Sequence, residues 1–177
     1  FSQIVDTTLP LVIGTWTHVA VTYNAITGDM KLYKNGVLVE TATSVPNYIE
    51  PSLEISRFFN SNFFTGMIDE VRVWSTERTF AEINASKDCE LSGDEPGLLA
   101  YYNFNQGIAG GNNTGINTLV DVQDKCEPNN GILENFLLTG TTSNWVSPGS
   151  PATGTCANSF PNIKITGNSN CIINGDI

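Results

Sequence analysis

The sequence predicts an all-β protein, a sandwich or barrel of short antiparallel strands interrupted by one short helix. Three observations carry this. Runs of four to eight β-branched and aromatic residues recur between Gly, Pro and Asn turn signals. Asn35-Gly36 lies between two such runs and is the strongest short hairpin signal, because a type I′ turn needs positive φ at both central residues. The composition is 40% hydrophobic but only 15% charged, so Asn, Thr, Ser and Gly must supply the polar surface. That surface is common in extracellular β proteins, and the apolar content argues against disorder.

The elements follow in order. Residues 1–15 are apolar and Thr-rich, punctuated by Pro10 and Gly14. Residues 16–23 (WTHVAVTY) alternate as a strand should. Thr27-Gly28 turns the chain into a second strand at 30–34, and Asn35-Gly36 turns it into a third at 37–43. Pro46 and Pro51 bracket a loop before a short strand at 52–56. A turn at 60–62 precedes a long strand expected over 63–74. Thr79 and Glu82 have capping-box spacing, which predicts a short helix over 80–87. Residues 98–104 (LLAYYNF) form the next strand, and Gly107 to Thr118 is a Gly/Asn-rich loop. A last strand is expected over 131–138, closing near Trp145. From Ser147 the run SPGSPATGT reads as a linker over 147–159, and 160–177 as the start of another β unit. The chain opens on Phe1-Ser2-Gln3-Ile4, which reads as part of a longer protein.

Charge and cysteine usage narrow the functional classes. A net charge of −10 disfavours nucleic acid and anionic membrane surfaces, which need clustered Lys and Arg. It is compatible with cations and with neutral glycans. No apolar run is long enough to span a membrane. Cys89, Cys126, Cys156 and Cys171 form no CxxC pair, and His18 is the only histidine, too few for a typical zinc site. An even count in an acidic, Lys-poor chain points to disulfides in an oxidising compartment, with three connectivities open; reduced, buried thiols are the alternative.

Four motifs in fixed order resemble the second half of laminin-G-like and pentraxin-like domains: WTHVAVTY, GDMKLYKNGVLV, FTGMIDEVRVW and STERTFAEI. They cover roughly residues 15–87. The resemblance implies an antiparallel β-sandwich of jellyroll, concanavalin-like type over 1–146. Residues 89–145 are similar to a segment that accompanies such domains in secreted proteins of Bacteroidetes. In many relatives a YYNF-like strand opens the domain, whereas here it follows the helix. Either the domain is permuted or its first half lies upstream of Phe1, and the second is the expectation. The tail PNIKITGNSNCIINGDI resembles the opening of an Ig-like domain. The chain is then expected to be part of a larger secreted or cell-surface protein.

The candidate chemistry is sparse. An extended strand through 67–74 would put Asp69 on one face with Met67, Val71 and Val73, and a carboxylate there is costly unless paired or metal-bound. The resemblance implies that Asp69 ligates a structural calcium; because calcium takes many oxygen ligands, the turn from Asn103 to Gly107 and the loop carboxylate of Asp121 are candidate co-ligands. The alternative is an Asp that accepts backbone N–H bonds at a strand bulge. Asp121 and Asp124 lack EF-hand spacing and read as solvated loop acids, with calcium binding as the alternative. Glu70 and Arg72 read as a surface ion pair. His18 reads as structural. No GxSxG elbow and no glucanase-like run of paired acids is present, so no enzyme activity is expected. Asn84 and Asn112 begin Asn-x-Ser/Thr triplets, which arise often by chance.

Aromatic residues flank the 60–62 turn. A binding site is expected there, at Arg57, Phe58, Phe59, Asn60, Asn62 and Phe63, with the loop 24–29 as a second place to look. The expected function is non-catalytic recognition of a glycan or a cell-surface protein. An inert spacer and an accessory domain of a secreted hydrolase are the rivals. Exposed aromatics at loop tips favour recognition, and buried ones favour the spacer.

Overall fold

The computed structural model describes residues 4, 11–43, 53–58, 62–123, 128–140 and 143–156. Among these, nine strands and one helix run in the order β1 (Val19–Tyr23), β2 (Asp29–Lys34), β3 (Val37–Thr43), β4 (Arg57–Phe58), β5 (Asn62–Phe63), β6 (Val71–Trp74), α1 (Phe80–Ser86), β7 (Leu98–Tyr102), β8 (Thr118–Leu119) and β9 (Gly131–Ile132). Every strand pairing is antiparallel: β1-β2-β3, β4-β5, β6-β7 and β8-β9. The architecture is the antiparallel β-sandwich expected from the sequence.

The β2–β3 hairpin turns where Asn35-Gly36 predicts it. Asn35 has φ 48° and Gly36 φ 78°, the left-handed values that an L-residue with a bulky side chain resists. The Asn35 side chain also accepts the His18 N–H at 2.9 Å, so the turn holds the entry to β1. Helix α1 starts at the predicted capping box: Thr79 Oγ1 accepts from Glu82 N, and Glu82 Oε2 accepts from Thr79 N.

The core lies around β7. Ala100 and Tyr102 pack with Leu119 and Trp145, flanked by Val71, Val73 and Phe136. Tyr101 faces a second cluster with Leu91 and Leu98, flanked by Trp74 and Val122. Four of the five β7 residues are buried, with Leu99 the exception, and that near-complete burial accounts for LLAYY being a continuous apolar run.

Four strand predictions need correction. The first strand begins at Val19 rather than Trp16. The strand expected over 52–56 is displaced, since Leu53 to Ser56 are not in a strand and β4 follows them. The long strand expected over 63–74 is the end of β5 and the whole of β6, with no strand over 64–70; Glu70, with φ 56°, stands immediately before β6. The last strand reaches only Ile132, and Asn135 takes φ 54° soon after. Residues 147–156, expected as linker, are tied to the body. Ser150 N–H donates to Asp69 Oδ2 at 2.8 Å, Thr153 N–H to Asp88 O at 3.0 Å and Cys156 N–H to Glu90 O at 2.7 Å. A Cys89–Cys156 disulfide fastens the same segment. Cys126, Cys171 and the expected second β unit lie outside the described residues.

Candidate functional site

The β4–β5 hairpin pairs Arg57 with Phe63 and Phe58 with Asn62. Phe59, Asn60 and the side chains of Arg57, Phe58 and Asn62 lie outside the described residues. The base of the hairpin is fixed by Phe64 N–H donating to Ser56 O at 2.9 Å. Ile55 roots it in the core beside Trp145. Above that root, Phe63 is 67% exposed and Phe64 49% exposed, and Met67 is exposed after them. Gly66 makes room for this arrangement, since a Cβ there would stand 2.7 Å from the Phe64 ring. Phe63 and Phe64 therefore behave differently from Tyr101, Tyr102 and Trp145, all of which are core. Exposing two adjacent large aromatic side chains from a short ordered hairpin leaves apolar area available to a ligand.

The residues expected around calcium occupy two places. Asp69 stands just before β6, with Oδ1 accepting the Glu70 N–H at 2.9 Å and Oδ2 accepting the Ser150 N–H at 2.8 Å. Asn103 follows β7 at the same end of the β6–β7 ladder, and its Oδ1 accepts the Asn105 N–H at 3.2 Å. Gly107 has φ 96° and lies against the Trp145 ring, where a Cβ would approach to 2.9 Å. Asp121 is elsewhere. Its Oδ1 accepts from Tyr101 N at 2.9 Å and from Gln123 N at 3.1 Å, and its Oδ2 from Asn129 N at 2.8 Å. Tyr101 pairs with Arg72 of β6 on one side, so these bonds put Asp121 across β7 from Asp69. Asp121 is buried, and three N–H donors offset the cost of burying its charge. Its role as a solvated loop acid does not hold. Among the described residues, no group of three or more His, Cys, Asp or Glu side chains is placed to hold one metal ion. Asp124 lies outside the described residues.

The sequence reading missed a buried polar network. Glu70 and Arg72 are not a surface pair: their side chains are 13% and 9% exposed and meet at 2.6 Å. Arg72 also donates to Ser86 O at 2.6 Å and Cys89 O at 2.5 Å, and the Tyr101 hydroxyl donates to Glu70 Oε2 at 2.8 Å. One guanidinium thus joins β6, the end of α1 and the disulfide loop. Burial pushes the Glu70 carboxyl above its ordinary range, against the opposing pull of Arg72 and Tyr101. Burial, then the bond to Glu70, raises the Tyr101 hydroxyl well above the ordinary phenol range. The sequence signal is partial: Glu70 and Arg72 flank Val71, while Glu70 stands just before β6 with φ 56°, and its carboxylate accepts from the Tyr101 hydroxyl. His18 is held neutral by burial and by the nearby Arg72 and Lys87 charges. In the 24–29 loop, Asn24 Oδ1 accepts from Ile26 N and Thr27 N, and Thr27 Oγ1 donates to Asp29 Oδ2 at 2.7 Å. That loop is also tied outward, since Asn24 Nδ2 donates to Glu77 Oε2 at 2.9 Å.

Comparison with known proteins agrees with this geometry. The family model described as the concanavalin A-like lectin/glucanases superfamily matches residues 2–84. A crystal structure of "a putative carbohydrate binding protein" from Bacteroides ovatus superposes with a TM-score of 0.52 and 27% sequence identity, covering 64% of this chain. The fold is concanavalin-like. The chain spans about a third of that protein's length, 34%. An S-layer domain-containing protein from Clostridium thermocellum is 27% identical over 44% of this chain and 41% of its own. Its TM-score of 0.33 is too low to carry an argument. No curated protein matches.

Proposed function

We propose that the chain is a non-catalytic recognition module that binds glycans at the β4–β5 hairpin, within a larger secreted or surface-attached protein. The observation that carries this is the exposure of Phe63 and Phe64 on a hairpin anchored in the core. Aromatic faces stack on the apolar face of a sugar ring. The likeness to a protein named for carbohydrate binding supports the same reading. The disulfide supports an oxidising location outside the cell. No described helix is long and apolar enough to cross a membrane.

The test is an array of immobilised β-glucans, xylans, mannans and amino-sugar oligosaccharides, probed with the wild-type chain and with Phe63→Ala. Phe63 is exposed, so its truncation leaves the fold intact. Binding to at least one glycan is expected, weakened in the variant by about 1 kcal/mol, roughly fivefold. Retention of no glycan would overturn the reading and leave the spacer.

A structural calcium belongs to the proposal only at Asp69. That carboxylate has about four lone-pair sites and spends two on N–H donors, so it fits one ligand position. Asp121 is committed elsewhere and does not join it. Calcium at a hundredfold excess over its Kd should stabilise the native state by about 2.7 kcal/mol, seen as a rise in melting temperature reversed by chelator and lost in Asp69→Ala. An unchanged melting temperature in wild type removes calcium and leaves Asp69 as a hydrogen-bonded tie between the start of β6 and Ser150.

A further inference from the structure

Phe63 and Phe64 are both exposed at the β4–β5 hairpin, but they are held differently. Phe63 is fixed through its pairing with Arg57. Phe64 is bound at both of its backbone groups to Ser56: its N–H donates to Ser56 O at 2.9 Å, and its carbonyl accepts from Ser56 Oγ at 3.4 Å. Its ring then reaches along the chain to Gly66. A Cβ on Gly66 would stand 2.7 Å from Phe64 Cε1 and 2.7 Å from Cζ, closer than side-chain carbons approach one another. The outer end of the ring therefore occupies space that every residue but glycine fills. Phe64 is nonetheless 49% exposed, so the ring is seated at one end and open to water elsewhere.

The backbone does not require glycine at this position. Gly66 has no positive φ, in contrast to Gly28 and Gly36, so an alanine there meets no left-handed strain. What its Cβ would displace is the far end of a side chain, which can swing away, rather than backbone. The glycine thus acts on the ring and not on the fold.

A side chain that is ordered before binding loses little freedom on binding. Fixing a mobile one weakens affinity, by about two- to tenfold for each immobilised side chain. The ring and the charge together select the ligand. An aromatic face takes a sugar face that shows only C–H groups. A β-linked glucopyranose, with every ring substituent equatorial, has such a face on either side. The net charge of −10 opposes uronic-acid and sulfated polysaccharides.

We propose that Gly66 is a positioning residue, which seats the Phe64 ring as a pre-ordered platform for a neutral β-1,4-linked glucan chain. That role rests on the hairpin being a glycan site. Gly66 acts through Phe64 alone, so its effect vanishes when Phe64 is replaced.

The test is a double-mutant cycle read by NMR titration with cellohexaose, on wild type, Gly66→Ala, Phe64→Ala and the double variant, each with its melting temperature. Cellohexaose should bind wild type saturably. Gly66→Ala should weaken binding about two- to tenfold with an unchanged melting temperature. Phe64→Ala should weaken it at least as much, and adding Gly66→Ala to Phe64→Ala should change nothing further. In the free chain, NOEs should connect the Gly66 Hα protons to the Phe64 ring and be lost in Gly66→Ala. Equal affinity of Gly66→Ala and wild type would overturn the proposal. So would losses that add in the double variant, or absence of those NOEs in the free wild type. Binding of another glycan of the array but not of cellohexaose would overturn it too, while leaving the hairpin a glycan site. Silence of the whole array would remove the glycan reading itself, and this role with it.

Discussion

Arg72 ties three parts of the molecule together. Its guanidinium reaches Glu70, Ser86 O and Cys89 O, and its carbon lies 5.6 Å from the centre of the Tyr101 ring. Replacing it leaves the Glu70 carboxylate buried with only the Tyr101 hydroxyl to meet it. Arg72→Met should therefore cost about 3–5 kcal/mol in urea unfolding, well above the value for an exposed pair. A loss under about 1 kcal/mol would mean that the pair is solvated after all. This network was only half legible in the sequence. Residue types and spacing placed Glu70 and Arg72 side by side. The left-handed φ at Glu70 and the hydroxyl of Tyr101, 31 residues away, decide burial, and neither is encoded locally. Asp69 was more legible: its acceptance of backbone N–H groups at a break in the strand was one of the two readings open from sequence.

At the scale of elements, local signals that need one residue type at one position were reliable. The Asn35-Gly36 turn and the Thr79–Glu82 box are both in place. They also touch. Asn84 on α1 donates to Gly36 O at 3.0 Å, so the helix is docked on the hairpin turn. The same bond explains why the Asn84 triplet reads as structure: its amide is engaged. A Cβ at Gly36 would collide with the Asn84 amide and would force an L-residue into positive φ. Gly36→Ala should then cost about 1–3 kcal/mol by thermal or urea unfolding. Gly14→Ala is the control, because Gly14 shares the positive φ but has nothing within 4 Å; its smaller cost isolates the strain from the collision. Strand lengths were the least legible feature. The strand patterns extend past Tyr102 and Ile132, but positive-φ turns at Phe104 and Asn135 follow the ends of β7 and β9, and the turn at Glu70 stands just before β6.

At the scale of the whole molecule, the order of motifs conveyed the fold, while composition separated binding classes only coarsely. The segment 147–156 illustrates the gap. Ser, Pro, Gly and Thr carry no periodicity, so a strap and a linker look alike in sequence. The disulfide closes a separation of 67 residues and ties that strap to the end of α1. Such a crosslink restricts the unfolded chain and keeps the β6–α1–β7 region intact in an oxidising medium. Around this rigid centre the aromatic residues divide. Those of β7 and Trp145 fill the core, and Phe63 and Phe64 face water. Sequence singled out the turn at 60–62 but had no means of telling which aromatics would be outward.

The central claim, recognition through the exposed hairpin, is tested most directly by mapping NMR chemical-shift changes as the best glycan from the array is titrated in. The account predicts saturable shifts concentrated at Ser56, Phe63, Phe64 and Met67, and their loss in the Phe63→Ala variant. Shifts confined to other surfaces, with the hairpin signals unmoved, would contradict it.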